Sequence, residues 1–191
     1  SRGAARESVE LWCQATCAEL LHVSLASAFG LAGAADFRWF RPEPRKARDD
    51  IIAKVSLSDD SARRPPLGAV VSTLRDIRED LRRVVRLRGF TEVQLAWYPR
   101  ESRGYARHYD AAADDGSSRQ RRVTAIVYCN ERWRPGDGGE LQLWPHGLGG
   151  GTVTVEPTAG KLLLFLSGCT PHVVRPTHAA RVAVDTWVSV T

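Results

Sequence analysis

His108 and Asp110 stand two residues apart in a run, 105–110, whose residue types suit a β-strand. Alternate residues of a strand point to one face. His172 follows Pro171 at the start of another β-type run, 64 residues further on. Two imidazoles and one carboxylate are the facial donor set of non-haem iron(II), which keeps positions open for substrate and oxygen. Zinc with three protein ligands uses similar donors. An H-x-D pair alone says little, because five His and twelve Asp produce one by accident in roughly one such chain in three. A surface His beside a surface Asp is the plain alternative. Arg181, nine residues after His172, raises the odds. If 180–190 is a strand, Arg181, Ala183, Asp185 and Trp187 share a face. Arginine on an inner wall is expensive unless an anion pairs with it, and guanidinium holds a carboxylate in a two-pronged contact. A metal triad with a buried carboxylate receptor is minimum equipment for an iron enzyme using a dicarboxylic keto-acid.

The elements that must position these groups fall into two halves. Residues 7–32 carry Leu11, Ala15, Ala18, Leu21 and Leu25 at helical spacing and predict an amphipathic helix. Residues 41–48 are basic and proline-containing, hence a loop, and 51–57 read as a strand. Pro66 opens a second helix predicted over 67–88, with Val70, Leu74, Ile77, Leu81 and Val84/Val85 on one side, a charged face including Arg75, Asp76, Arg78 and Glu79 on the other, and Gly89 ending it. From residue 90 the pattern changes to short β-type runs between turn residues: 91–98, 105–110, 122–129, 139–144, 152–156, 161–166, 172–175 and 180–190. About eight strands at near-regular spacing suggest a sandwich or jelly roll rather than alternating βαβ units. The predicted fold is α+β, a double-stranded β-helix (jelly roll) supported by N-terminal helices. We expect one domain over 1–191, with helical support and a lid region in 1–89 and a catalytic core in 90–191.

The chain has 191 residues, 43% of them hydrophobic and 26% charged, enough to bury a real core and too apolar for global disorder. No apolar run approaches the ~20 residues that span a bilayer, so no membrane partner is expected. The net charge of +5 comes from 27 Lys+Arg, 24 of them arginine, against 22 Asp+Glu. Such a balance suits nucleic acid, an acidic surface or an acidic protein partner equally. No ordered basic-aromatic stripe suggests base stacking, which makes nucleic acid the poorer expectation. Four cysteines without a C-x-x-C pair are neither a zinc knuckle nor a dense disulfide framework. We therefore expect a reducing compartment, the cytoplasm or nucleus, and a monomer. The chain begins without Met, which reads as trimmed, so a removed targeting segment stays open.

The run Tyr98-Pro…Gly104-Tyr105-x-x-His108-x-Asp110…Arg122-Val-Thr-Ala-Ile-Val-Tyr128-Cys-Asn130-x-x-Trp133…Gly138-Gly-Glu-Leu141…Pro171-His172…Arg181…Trp187 resembles the 2-oxoglutarate- and iron-dependent prolyl 4-hydroxylases. It looks closest to the hypoxia-inducible-factor type, with its oxygen-sensing role, and to bacterial and protist relatives. The resemblance is dense over about 90–190 and covers 1–89 only in element order. Arginine nine residues past the second histidine looks like that branch, where collagen-type enzymes usually have a lysine further on. It implies that His108, Asp110 and His172 hold iron(II) and are catalytic. It also implies that Arg181 pairs with the distal carboxylate of 2-oxoglutarate, that Tyr128 donates a hydrogen bond to it, and that Tyr98 lies near the chelating end. Tyr105, Trp187 and Arg121 (or, with a one-residue slip, Arg122) match residues bordering the target proline. Arg48-Asp-Asp50 matches an Arg-x-Asp of the family's lid, in a stretch, 38–50, that a solvated charge run explains equally well. Core packing is the rival reading for Tyr128 and Trp187. Trp133 and Trp144 read as core or loop-anchoring residues.

The implied reaction uses iron(II), 2-oxoglutarate and O2, with ascorbate as a supporting reductant, and hydroxylates the 4-position of a prolyl residue in a protein or peptide, giving succinate and CO2. The same oxygenase chemistry on a free amino acid, another side chain or an alkylated nucleic acid is the alternative, and a non-catalytic jelly-roll binding module a weaker one. Two departures stand out. His172-Val173-Val174 replaces the usual H-E-V, and Asp185-Thr186-Trp187 replaces T-x-W. Strand parity puts Asp185, not Thr186, on the wall with Arg181, where a carboxylate would hold water at the iron or repel an anionic cosubstrate.

Overall fold

A computed structural model describes residues 39–40, 46–63, 67–83, 85–112, 120–145 and 151–189. The helix expected over 7–32 and most of the loop at 41–48 lie outside these residues. Among these residues, ten strands form two antiparallel sheets: β1 (Trp39–Phe40), β2 (Ile51–Ser56), β3 (Glu92–Tyr98), β4 (Tyr105–His108), β5 (Arg121–Tyr128), β6 (Leu141–Leu143), β7 (Val153–Val155), β8 (Leu162–Leu166), β9 (His172–Val174) and β10 (Arg181–Ser189). The larger sheet has the order β1-β2-β3-β10-β5-β8 and the smaller β4-β9-β6-β7. All eight strands expected after residue 90 are present, shorter by a residue or more at most ends. The pattern of period two explains why they pair as they do. Val93, Leu95 and Trp97 on β3, Val123, Ala125 and Val127 on β5, and Val182, Val184 and Val188 on β10 face one way. There they pack with Leu67, Val70, Val71 and Leu74 of the helix α1 (Leu67–Leu81).

The alternate residues of the same strands look into the space between the sheets. Ala96, Tyr98, Ile126, Tyr128 and Ala183 meet Leu141, Leu143 and Val174 of the smaller sheet there. Apolar residues on both faces of the central strands are thus what a sheet sandwiched between a helix and a second sheet requires. Helix α1 stops at Leu81 rather than 88. The following Arg-Arg-Val-Val-Arg-Leu-Arg stretch combines β-branched residues with like charges three and four apart, both unfavourable in a helix. Extended chain instead lets Leu87 enter the outer core, with Arg88 N–H donating to Ser189 O at 2.8 Å.

Candidate metal and keto-acid site

β4 and β9 are neighbours in the smaller sheet, and their register sets His108 directly opposite His172, with ring centroids 4.2 Å apart. β4 ends at His108, so Asp110 lies just past the strand rather than in it, a correction to the expected 105–110 run. Its backbone N–H donates to Ser167 O at 3.1 Å, which turns the carboxylate to the same side as the histidines. The ligating atoms of His108, Asp110 and His172 all fall within 4.8 Å of one another. Asp110 Oδ1 is 3.4 Å from His108 Nε2 and 3.7 Å from His172 Nε2.

Both imidazoles are oriented by carbonyls two residues earlier. His108 Nδ1 lies 2.8 Å from Ala106 O and His172 Nδ1 3.0 Å from Thr170 O. With the proton on Nδ1, each Nε2 lone pair is directed at the common point, the usual arrangement behind metal-bound histidine. Asp110 Oδ2 accepts from Thr124 Oγ1 at 2.7 Å, leaving Oδ1 for the site. Burial pushes Asp110 up, yet the His108 imidazole, the charge of His172 and the Thr124 hydroxyl together hold it down at about 2. Burial drives His172 the other way, toward the neutral imidazole that binds metal, with Asp110 opposing and His108 assisting. An ionised carboxylate beside oriented imidazoles fits a divalent cation.

The three groups open into a cavity of about 510 Å3 between the sheets. On its opposite wall Arg181, only 3% exposed, faces inward as the parity of β10 requires. Its Nε donates to Gly139 O at 3.0 Å, and its guanidinium lies 4.9 Å from the ring of Tyr98 and 5.2 Å from that of Tyr128. No carboxylate clamps it in an ion pair among the described residues. Burial raises both tyrosines, Tyr98 well above the phenol range and Tyr128 to about 12, with Arg181 pulling back in each case, so both are neutral donors. A buried guanidinium between two phenols fits a carboxylate ligand.

Other expected residues also gather here. Tyr105 stacks on His108 with centroids 3.6 Å apart. Arg121, not Arg122, lines the cavity; it lies 3.9 Å over the Trp187 ring and donates to the Asp110 carbonyl at 3.2 Å. Arg48 lines the wall too, but its guanidinium grips Asp50 at 2.7 and 2.6 Å and covers Tyr105 at 4.5 Å. Thr124 and Ile126 line the cavity, whereas Tyr128, on the same face of β5, is fully buried in the core between the sheets. Trp133 anchors a loop by donating to Gly138 O at 2.8 Å, and Trp144 lies under Arg107, 4.1 Å from its guanidinium.

Several contributors had no role assigned from the sequence, Gly139 among them although it stands in the quoted Gly138-Gly-Glu-Leu141 run. Gly139 packs on Arg181 at φ +76°, and a Cβ there would sit 2.9 Å from Arg181 Cδ. Gln94 reaches Asp185 at 3.3 Å, and Ser167 lies 2.9 Å from Thr124 Oγ1. Parity could have nominated Gln94, a polar residue on the inward side of β3; the carbonyl contacts leave no mark in the sequence.

Residues 93–189 match the 2OG-Fe(II) oxygenase superfamily. The chain belongs to that superfamily. Among relatives of this oxygenase, "Egl nine homolog 1" of Rattus norvegicus is 38% identical over 104 residues, 53% of this chain and 29% of that protein. The chain thus spans less than a third of that relative's length. A Pseudomonas putida prolyl-4-hydroxylase structure aligns with TM-score 0.75 and 28% identity, covering 94% of this chain and 87% of that one. A Trichoplax adhaerens prolyl hydroxylase, solved with a hypoxia-inducible-factor peptide fragment, aligns with TM-score 0.71 and 26% identity over 92% and 78%. The oxygenase fold is therefore a jelly roll, and its cofactors are iron(II) and 2-oxoglutarate.

Proposed function

We propose that this oxygenase hydroxylates the 4-position of a prolyl residue in a protein or peptide, converting 2-oxoglutarate to succinate and CO2. One observation carries the reading: a metal-ligand triad and an unclamped buried guanidinium line the same cavity. Iron held there would supply the coupling of keto-acid decarboxylation to oxygen insertion into a C–H bond. His108, Asp110 and His172 hold the metal, with Ala106, Thr170 and Thr124 fixing their orientation. Arg181 receives the distal carboxylate, Tyr128 donates to it, and Tyr98 closes the wall toward the chelating end. Tyr105, Trp187 and Arg121 border the proline. The Arg48–Asp50 pair acts through Tyr105, which it braces from outside.

The names of the relatives support a prolyl substrate over a free amino acid or a nucleobase. We assign 7–32 to a supporting helix on its apolar spacing, the chain to one domain and one copy, and its location to the cytoplasm or nucleus. The test is anaerobic loading with iron and 2-oxoglutarate, then oxygen, with and without proline-containing peptides. Peptide-stimulated succinate and a gain of about 16 Da on proline are expected, both abolished in His108→Ala. Peptide-insensitive turnover refutes the prolyl assignment, and iron binding undiminished in His108→Ala refutes the metal site.

A further inference from the structure

Trp187 and Arg121 line not one depression but two. Beyond them a second groove, about 630 Å3, runs between Arg78 on α1, the segment 88–92 and Ser189 at the end of β10. Its walls are built. Arg88 N–H donates to Ser189 O at 2.8 Å, Ser189 N–H to Gly89 O at 3.0 Å, and Arg78 Nη1 to the Arg88 carbonyl at 2.7 Å. Gly89 admits the arginine, since a Cβ there would lie 2.9 Å from Arg78 Nη1.

The charges are unequally engaged. Arg78 pairs with Glu79, and Glu92 is neutralised by Lys54 at 2.9 Å. Arg121 lies on the Trp187 ring. The side chain of Arg88 is exposed and joins no ion pair among the described residues. Trp187 Nε1 is a buried N–H donor with no acceptor among the described residues. The groove therefore presents one unengaged cation, and it shares Trp187 and Arg121 with the cavity that holds the chemistry. Stacking on bases is poorly served, because Arg121 occupies a Trp187 face and Phe90 is buried.

We propose that this groove seats the polypeptide flanking the reacting residue and reads one acidic side chain through Arg88. The inference rests on the polypeptide-substrate reading above. Asp185, facing the cavity, and Ser189, in the groove, are four residues apart on β10, about 13 Å at strand rise. The acidic position thus lies roughly four residues of extended peptide from the reacting one.

Fluorescein-labelled peptides of about 15 residues with one central proline test this. They differ only in Glu, Gln or Lys about four residues to one side or the other, and binding is followed by anisotropy under nitrogen at low and high salt. The Glu peptide of one series is expected to bind about threefold to fivefold more tightly than Gln, the scale of a partly screened ion pair, with the gap closing at high salt. Arg88→Gln removes the preference and Arg88→Glu reverses it toward Lys. Arg83→Gln, whose side chain faces Asp80 at 3.7 Å outside the groove, retains it. A preference surviving Arg88→Glu overturns the proposal, as does tighter Arg88-dependent binding of a single-stranded oligonucleotide. Equal hydroxylation and binding of Glu and Gln peptides overturns the groove while leaving prolyl hydroxylation standing. A charge swap on peptides that are never hydroxylated upholds the groove and removes prolyl hydroxylation instead.

Discussion

Asp185 sits where the resembled family carries threonine, and its surroundings make it the most consequential single residue after the triad. Burial pushes its carboxyl up to about 7, Arg181 pulls down, and Asp110 and Asp50 add to the rise. The folded chain holds this proton more tightly than the unfolded chain, where the group titrates near 3.8. Its contribution to stability is therefore full below about pH 4 and lost as pH rises through 7. Asp185→Asn abolishes that loss. The metal-free variant is expected to match the parent near pH 4 and exceed it by about 1–2 kcal/mol near pH 8, cavity water trimming what a dry carboxylate would give. Urea unfolding at the two pH values measures this; an equal offset at both refutes the assignment. At this scale His108, Asp110, His172 and Arg181 were legible because their side-chain chemistry is scarce and costly to bury. The contacts made by the carbonyls of Gly139, Ala106 and Thr170 were not, since a backbone acceptor is indifferent to residue type.

Elements deliver these groups through parity. β10 alone supplies Val182, Val184 and Val188 to the outer core and Arg181, Asp185 and Trp187 to the cavity. That alternation could be read directly, and a one-residue slip would have exchanged the two sets. Parity failed only at strand ends: the chain leaves β4 after His108, and a hydrogen bond to Ser167, not the pleat, turns Asp110 inward. The loop before β6 acts as the counterpart of β10. Gly138 and Gly139 adopt φ +70° and +76°, which brings the Gly139 carbonyl onto Arg181 Nε. Gly139→Ala adds strain at that φ, on the order of 1 kcal/mol, and drives a Cβ toward Arg181 Cδ and Thr177 Cγ2. We expect 2-oxoglutarate affinity, measured by calorimetry with Mn(II) in place of iron, to fall at least tenfold, while the melting temperature drops only a few degrees. Unchanged affinity would show that the carbonyl contact does not aim the guanidinium.

The whole molecule separates stability from function by layer. On one side of the large sheet α1 closes a dry core around Leu74, Val93, Leu95 and Val184; on the other the same strands frame a polar cavity. A double sheet was legible from strand number and spacing, but strand order was not, because β10 pairs with β3 and β5 across long stretches of chain. Two layers imply two separable responses. Leu74→Ala leaves a cavity in the outer core, costing about 2–5 kcal/mol, and at about 2–4 °C per kcal/mol lowers melting by roughly 4–20 °C. Ligand linkage works on the other layer: 2-oxoglutarate with Mn(II) at about 100 times Kd stabilises by about 2.7 kcal/mol, roughly 5–10 °C. That increment is expected to persist undiminished in Leu74→Ala and to vanish in Arg181→Gln. A thermal-shift series over 2-oxoglutarate concentration distinguishes the layers, because the increment depends on Kd and not on the starting melting temperature. If Leu74→Ala weakened ligand binding as much as it lowered melting, the sheet would be transmitting strain from core to cavity, and the two layers would be one cooperative unit.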